Sequence, residues 1–137
     1  MQVTRAQPQA LWVSETASMQ PIGIHHVALN VPDVDAALTF YTQALGGVAR
    51  TDRPDFGVPG AWIDMGEQQI HLIEAPAPPD LGQHLALKIA DLSQLVRELR
   101  ARGLEVSDPF EIAGDSQTFV TDPGGNVIEL HQVDGEL

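Results

Sequence analysis

The sequence predicts an α+β fold: two βαβββ modules, each forming an antiparallel-rich curved sheet, packed around one cleft. Three observations lead there. Short runs alternate apolar and polar residues, the period of a half-buried strand, and the first run in each half leads into an apolar stripe at helical spacing. The second half also repeats the first at a fixed offset, with His84 placed 58 residues after His26 and Glu129 placed 58 residues after His71. At that offset Val27, Leu29, Val31 and Asp33 fall on Leu85, Leu87, Ile89 and Asp91, and "WIDMGEQQIHL" falls on "VTDPGGNVIEL". Such internal similarity marks a duplicated supersecondary unit.

Taken in order, "IGIHHVALNV" opens the first module. Val27, Leu29 and Val31 share one face of a strand, and His26, Ala28 and Asn30 share the other. Alternation groups His25 with the apolar face as a structural residue and turns His26 toward the cleft. Pro32 stops the strand and Asp33 is placed to cap a helix with apolar positions Val34, Ala37, Leu38, Tyr41 and Leu45, ended by Gly46 and Gly47. Three strands follow, in "VARTDR", "AWIDMG" and "QIHLIE", separated by Gly or Pro. After "APAPPDLGQ" the order recurs: a strand in "HLALKIA", a helix capped by Asp91 with Leu92, Leu95, Val96 and Leu99 on one face, then strands in "LEVSDPF", "QTFVTD" and "NVIELHQ". Residues 1–21 are expected to be a tail or arm, and 22–137 one domain, with modules 22–74 and 84–133 joined by linker 75–83.

Composition narrows the function. The chain of 137 residues carries a formal net charge of -12, which repels phosphate backbones and anionic membrane surfaces, and no Lys/Arg stripe offsets it. Nucleic-acid and membrane partners are therefore not expected. No apolar run is long enough to span a bilayer. The first twenty residues lack the pattern of a secretory signal, so a cytoplasmic location is expected. With no cysteine, a metal site must use His, Asp or Glu.

Each half carries one ligand-type residue at the start of its first strand and another in its last: His26 and His71, then His84 and Glu129. All four alternate away from the core-facing aliphatics. Two such sheets related by an approximate two-fold are expected to bring three imidazoles and one carboxylate together. Imidazole suits the divalent first-row metals, and a carboxylate offsets part of the charge. A six-coordinate ion then keeps two positions open for water or a chelating substrate.

The stretches "HHVALNVPDVDAALTFYTQALGG", "QIHLIE", "HLALKIAD" and "FVTDPGGNVIELHQ" resemble the vicinal oxygen chelate superfamily, which includes glyoxalase I, extradiol dioxygenases, methylmalonyl-CoA epimerase, and fosfomycin and bleomycin resistance proteins. Within it, "RPDFGVPGAWIDMGEQQIHLIE" is similar to a glyoxalase-I-like subgroup. The resemblance places His26, His71, His84 and Glu129 at the family's metal-ligand positions, although His71 stands where glyoxalase I usually carries Glu or Gln.

What the resemblance implies is an enzyme, a metal-dependent lyase or isomerase. One divalent ion (Ni, Zn, Co, Mn or Fe) chelates a small oxygenated substrate and stabilises an enolate while a proton moves. Glu129 is the expected base, with His71 as a second candidate for proton transfer. Lys88, Phe56, Trp62, Phe119 and His131 are candidate substrate contacts, His131 also as a group that orients a ligand. Two alternatives stand beside this: an Fe(II)-dependent ring-cleaving dioxygenase using His26, His84 and Glu129, and a non-catalytic small-ligand binding protein of the antibiotic-binding type. Open sheet edges point to a homodimer.

Overall fold

A computed structural model describes residues 19–134. The tail or arm expected for 1–21 therefore lies almost wholly outside the described residues. Two four-stranded sheets repeat one topology. β1 (His26–Val31), β2 (Val48–Ala49), β3 (Gly60–Met65) and β4 (Gln68–Glu74) are ordered β1-β4-β3-β2. β5 (Leu85–Lys88), β6 (Phe110–Ile112), β7 (Asp115–Thr121) and β8 (Val127–Gln132) are ordered β5-β8-β7-β6. In each sheet the first and last strands run parallel, while the other pairs are antiparallel. The parallel pair is possible because a helix makes the long crossover that parallel neighbours require.

α1 (Val34–Thr39) and α2 (Leu92–Ala101) start alike: Asp33 accepts the N–H of Ala36 at 3.1 Å and Asp91 that of Gln94 at 3.0 Å. Each side chain thereby satisfies one of the orphan donors of a first turn. The ends differ. α1 widens into a π-helical turn over Phe40–Ala44, with Leu45 N–H on Phe40 O, where regular α-helix was expected. Thr42 Oγ1 donates back to Leu38 O at 2.7 Å, a side-chain bond that competes with the regular ladder.

The alternating aliphatics form one core across both modules. Val31, Tyr41, Ile63 and Leu72 from the first pack in it with Leu92, Leu99, Ile128 and Leu130 from the second, all buried. A polar clasp ties the modules at one end. The Asp122 carboxylate, 3% exposed, accepts from Gly124 N–H, from Asn126 N–H and Nδ2, and from Tyr41 Oη at 2.7 Å. Burial first, and then the Asp122 charge, push the Tyr41 phenol far above its ordinary pKa. Asn126 Nδ2 also donates to Asn30 O at 3.0 Å.

Three sequence expectations are corrected. The strand expected across "VARTDR" is only Val48–Ala49, because the chain leaves the ladder after Arg50, whose N–H still reaches Trp62 O at 2.8 Å, and runs through Pro54. The strand expected in "LEVSDPF" starts only at Phe110, after Pro109, which has no N–H to give a ladder. The gapless match also slips within the hairpins. Ile63 pairs with Ile70 and Val120 with Ile128, so Trp62 corresponds in space to Phe119 rather than Val120. A two-residue turn joins β3 to β4 whereas five residues join β7 to β8, and one residue of slip restores the apolar face. β2 and β6, the outer edges, expose Val48, Phe110 and Ile112. No helix among the described residues is long and apolar enough to cross a membrane.

Candidate functional site

On the first sheet the polar face is a row of rings. Trp62 and His71 are register partners on β3 and β4, and their rings stack at 4.6 Å. His71 stacks in turn on His26 of β1, at 3.8 Å with the planes 11° apart. Phe56 lies 6.1 Å beyond Trp62 and is exposed, with the Arg53 guanidinium over its ring. Gln69, two residues from His71 and on the same face, bonds His71 Nε2 through Oε1 at 2.8 Å. Burial, followed by the neighbouring His26 and His25, lowers the pKa of His71, which favours the neutral ring.

His25 is exposed and does not group with the apolar face as alternation suggested. It precedes the first residue of β1, so strand alternation does not direct it. Its Nδ1 lies 2.9 Å from His26 Nδ1, and its ring stands edge-on to His71 at 6.5 Å.

On the second sheet the polar face is a chain of charges. His84 Nδ1 donates to Gly82 O at 2.9 Å, which turns Nε2 toward Glu129 Oε1, also 2.9 Å away. Glu129 Oε2 accepts from His131 Nδ1 at 2.8 Å, and His131 Nε2 donates to Asp115 Oδ2 at 2.8 Å. The Gly82 carbonyl and then the Glu129 carboxylate raise the pKa of His84. Asp115 and then Glu129 do the same for His131, which in return lowers that of Asp115. Phe119, opposite Glu129 in register, stands edge-on to His84 at 5.6 Å. Lys88 is exposed on β5, opposite His131 in register.

The four residues singled out from the duplication thus form two pairs, one per sheet. Between β1 and the start of β5 lies a cavity of about 370 Å³ lined by Ala28, Asn30, His84, Leu85 and Asn126 among others. A second, of about 470 Å³, runs along the far end of the same seam beside Leu45, Met65, Ile70, Leu87 and Ile89.

The donor chemistry can be tested against a divalent ion. Neighbouring ligands at about 2.1 Å from an ion and at right angles stand about 3 Å apart, close to the separation of His84 Nε2 and Glu129 Oε1. With Nδ1 committed to Gly82, the neutral ring of His84 offers its lone pair at Nε2. This pair fits an ion. His26 and His71 as stacked do not, because a bound ion lies in the plane of each imidazole and near-parallel stacked planes share no such point. One ring must turn before both can serve. Among the described residues no three His, Asp or Glu side chains surround a common point.

A family model described as Glyoxalase/Bleomycin resistance protein/Dioxygenase superfamily matches residues 23–130. The chain belongs to this superfamily. It is 29% identical over 121 residues to a lactoylglutathione lyase of Arabidopsis thaliana, across 78% of this chain and 43% of that protein, so it spans under half the length of that relative. It is also 29% identical over 143 residues to a 2-epi-5-epi-valiolone epimerase of Actinomyces sp, covering 80% of this chain and 78% of the epimerase. Among solved structures it is similar to TnmS3, an antibiotic binding protein from Streptomyces sp. CB03234, with a TM-score of 0.75, 25% identity, and 85% and 99% of the two chains covered. The proteins it is similar to thus include both enzymes and an antibiotic binding protein.

Three residues of the site escaped the sequence reading. Gln69 was open to discovery through its alternation with His71, and Asp115 through its alternation with Gln117 and Phe119 once the strand is extended two residues earlier. For His25 no sequence signal existed.

Proposed function

We propose that the chain is a divalent-metal-dependent enzyme of the glyoxalase-I-like type, acting on a small oxygenated substrate by proton transfer, as an isomerase, epimerase or lyase. The observation that carries this reading is the His84–Glu129 pair, with ligand spacing, beside a cavity whose volume is within the range of small-molecule sites. His84 and Glu129 would hold the ion, with His26 and His71 completing the set. When bound, the ion supplies Lewis acidity to the substrate's adjacent oxygens. Glu129 is the base for a proton on the neighbouring carbon, since its side chain is only 12% exposed and lies beside the ion-binding nitrogen of His84. Phe119 and Trp62 flank the two pairs.

Elemental analysis of protein purified without added metal tests the reading. His26→Ala, His71→Ala, His84→Ala and Glu129→Ala are each expected to lower the metal content, and full retention in all four overturns it. A screen of 2-oxoaldehyde conjugates, short acyl-CoA substrates and catechols then assigns the reaction, with oxygen uptake marking the dioxygenase alternative.

A second reading has its own support. The stacked His26 and His71, together with the likeness to an antibiotic binding protein, suit a metal-free binder that sequesters a planar ligand. Ligand binding that survives chelation favours it.

A further inference from the structure

Glu129 is anchored at both oxygens, and only one anchor belongs to the centre proposed above. Oε1 meets His84; Oε2 meets His131, whose other nitrogen is held by Asp115. Asp115 is fixed in its turn, because Oδ1 accepts the Asp134 N–H at 3.2 Å. Asp115, His131 and Glu129 are all set on strands. Glu129 and His131 are two apart on β8 and share a face, and Asp115 begins β7. His131 pairs in register with Gln117, so its bond to Asp115 reaches diagonally to the next residue on the same face. Exposure falls along the chain toward the carboxylate, from 28% for the Asp115 side chain to 25% for His131 and 12% for Glu129.

The first module shows that this device is not a by-product of duplication. At the offset that matches Glu129 with His71, His131 matches Ile73, which has no polar group to give. The extra anchor exists only in the half that carries the carboxylate.

We propose that Asp115 and His131 are a positioning pair for Glu129: His131 ties down Oε2, Asp115 holds the His131 ring in place, and Oε1 is left as the oxygen offered to the ion and substrate. The inference rests on the metal-centre reading of Glu129. A glutamate has three rotatable side-chain bonds, and removing a partner that orients a ligand typically weakens metal binding by about 10- to 100-fold.

Titration of the full chain with cobalt(II) chloride, followed by its visible absorption, tests the pair without any assay of activity. His131→Leu is expected to weaken cobalt binding by about 10- to 100-fold and to change the band shape, because Glu129 is then free to turn. His131→Asn keeps a side-chain N–H near Oε2 and is expected to recover most of the affinity, and Asp115→Asn to show a smaller loss than His131→Leu. Glu129→Gln and His84→Ala are the reference. If they lose cobalt while His131→Leu and Asp115→Asn keep the parent's affinity and spectrum, the positioning pair is wrong and the metal centre stands. If Glu129→Gln and His84→Ala also bind as the parent does, the metal centre itself is wrong and the positioning pair falls with it. Should His131→Leu fail to fold by circular dichroism, Asp115→Asn against Glu129→Gln decides in the same way.

Discussion

On the first sheet the residues facing away from the core meet ring to ring; on the second they meet nitrogen to carboxylate. Backbone topology, helix caps and buried aliphatics match between the halves, so the difference arises from a few side chains on one repeated frame. Trp62, His71 and His26 stack ring on ring, and burial lowers the pKa of His71. His84, Glu129, His131 and Asp115 alternate imidazole with carboxylate, an arrangement that raises the pKa of His131. A duplicated fold can therefore keep one core and divide the polar work, with stacked rings on one wall and an oriented carboxylate on the other.

The sharpest check of the shared frame uses matched core positions. Leu72 and Leu130 are both fully buried at the same place in their modules, so Leu72→Ala and Leu130→Ala should each cost about 2–5 kcal/mol and differ little from one another in urea denaturation. A large gap between them would mean that one module dominates the stability. The caps give a smaller version of the same comparison. Asp33→Ala and Asp91→Ala should each cost about 1 kcal/mol, even though only the first helix widens into a π-helical turn.

The smallest effect separates the halves through pH. Because its folded pKa is raised, His131 contributes stability that is complete below about pH 6.5, the unfolded value, and that fades as pH rises through the folded value. His71 is lowered, so its sign is reversed. As pH falls below about 6.5 the unfolded chain gains the proton first, and stability is lost until the folded value is passed. Ring-proton NMR titration should find His131 above and His71 below the ordinary value. His131→Asn should flatten the stability profile on the alkaline side and His71→Phe on the acid side. Parallel titrations of the two rings would erase the distinction between the walls.

Much of this was legible in the sequence. Alternation located β1, β4, β5 and β8, the strands whose buried faces are rows of aliphatics, the 58-residue offset exposed the duplication, and the resemblance of motifs such as "FVTDPGGNVIELHQ" pointed to the superfamily. β2 and β6 were misplaced because edge strands of two or three residues carry too few side chains to show a period. The π-helical turn was hidden because widening by one residue leaves the apolar stripe nearly intact. Pairing within the site was the least legible part. The duplicated spacing and strand alternation offered His26, His71, His84 and Glu129 as one set, but whether two imidazoles stack on each other or point at a common atom depends on side-chain rotation, which leaves no trace in spacing. Asp115 was missed for a simpler reason, since the expected strand began at Gln117.

The clasp at Asp122 breaks the symmetry of the duplication. The position matching Tyr41 is Leu99, which has no hydroxyl, and Asp64, the residue matched to Asp122 in sequence, is held by Arg50 within its own module. The two modules are consequently stitched at one end of their seam. That end adjoins the cavity beside His84, through Asn30 and Asn126. At the opposite end, along Met65 and Ile89, the larger of the two seam cavities is lined mostly by aliphatics. The cavity beside His84 is thus walled at the end where side chains of one module hydrogen-bond to the other, and the gap there is set by directional bonds as well as by packing.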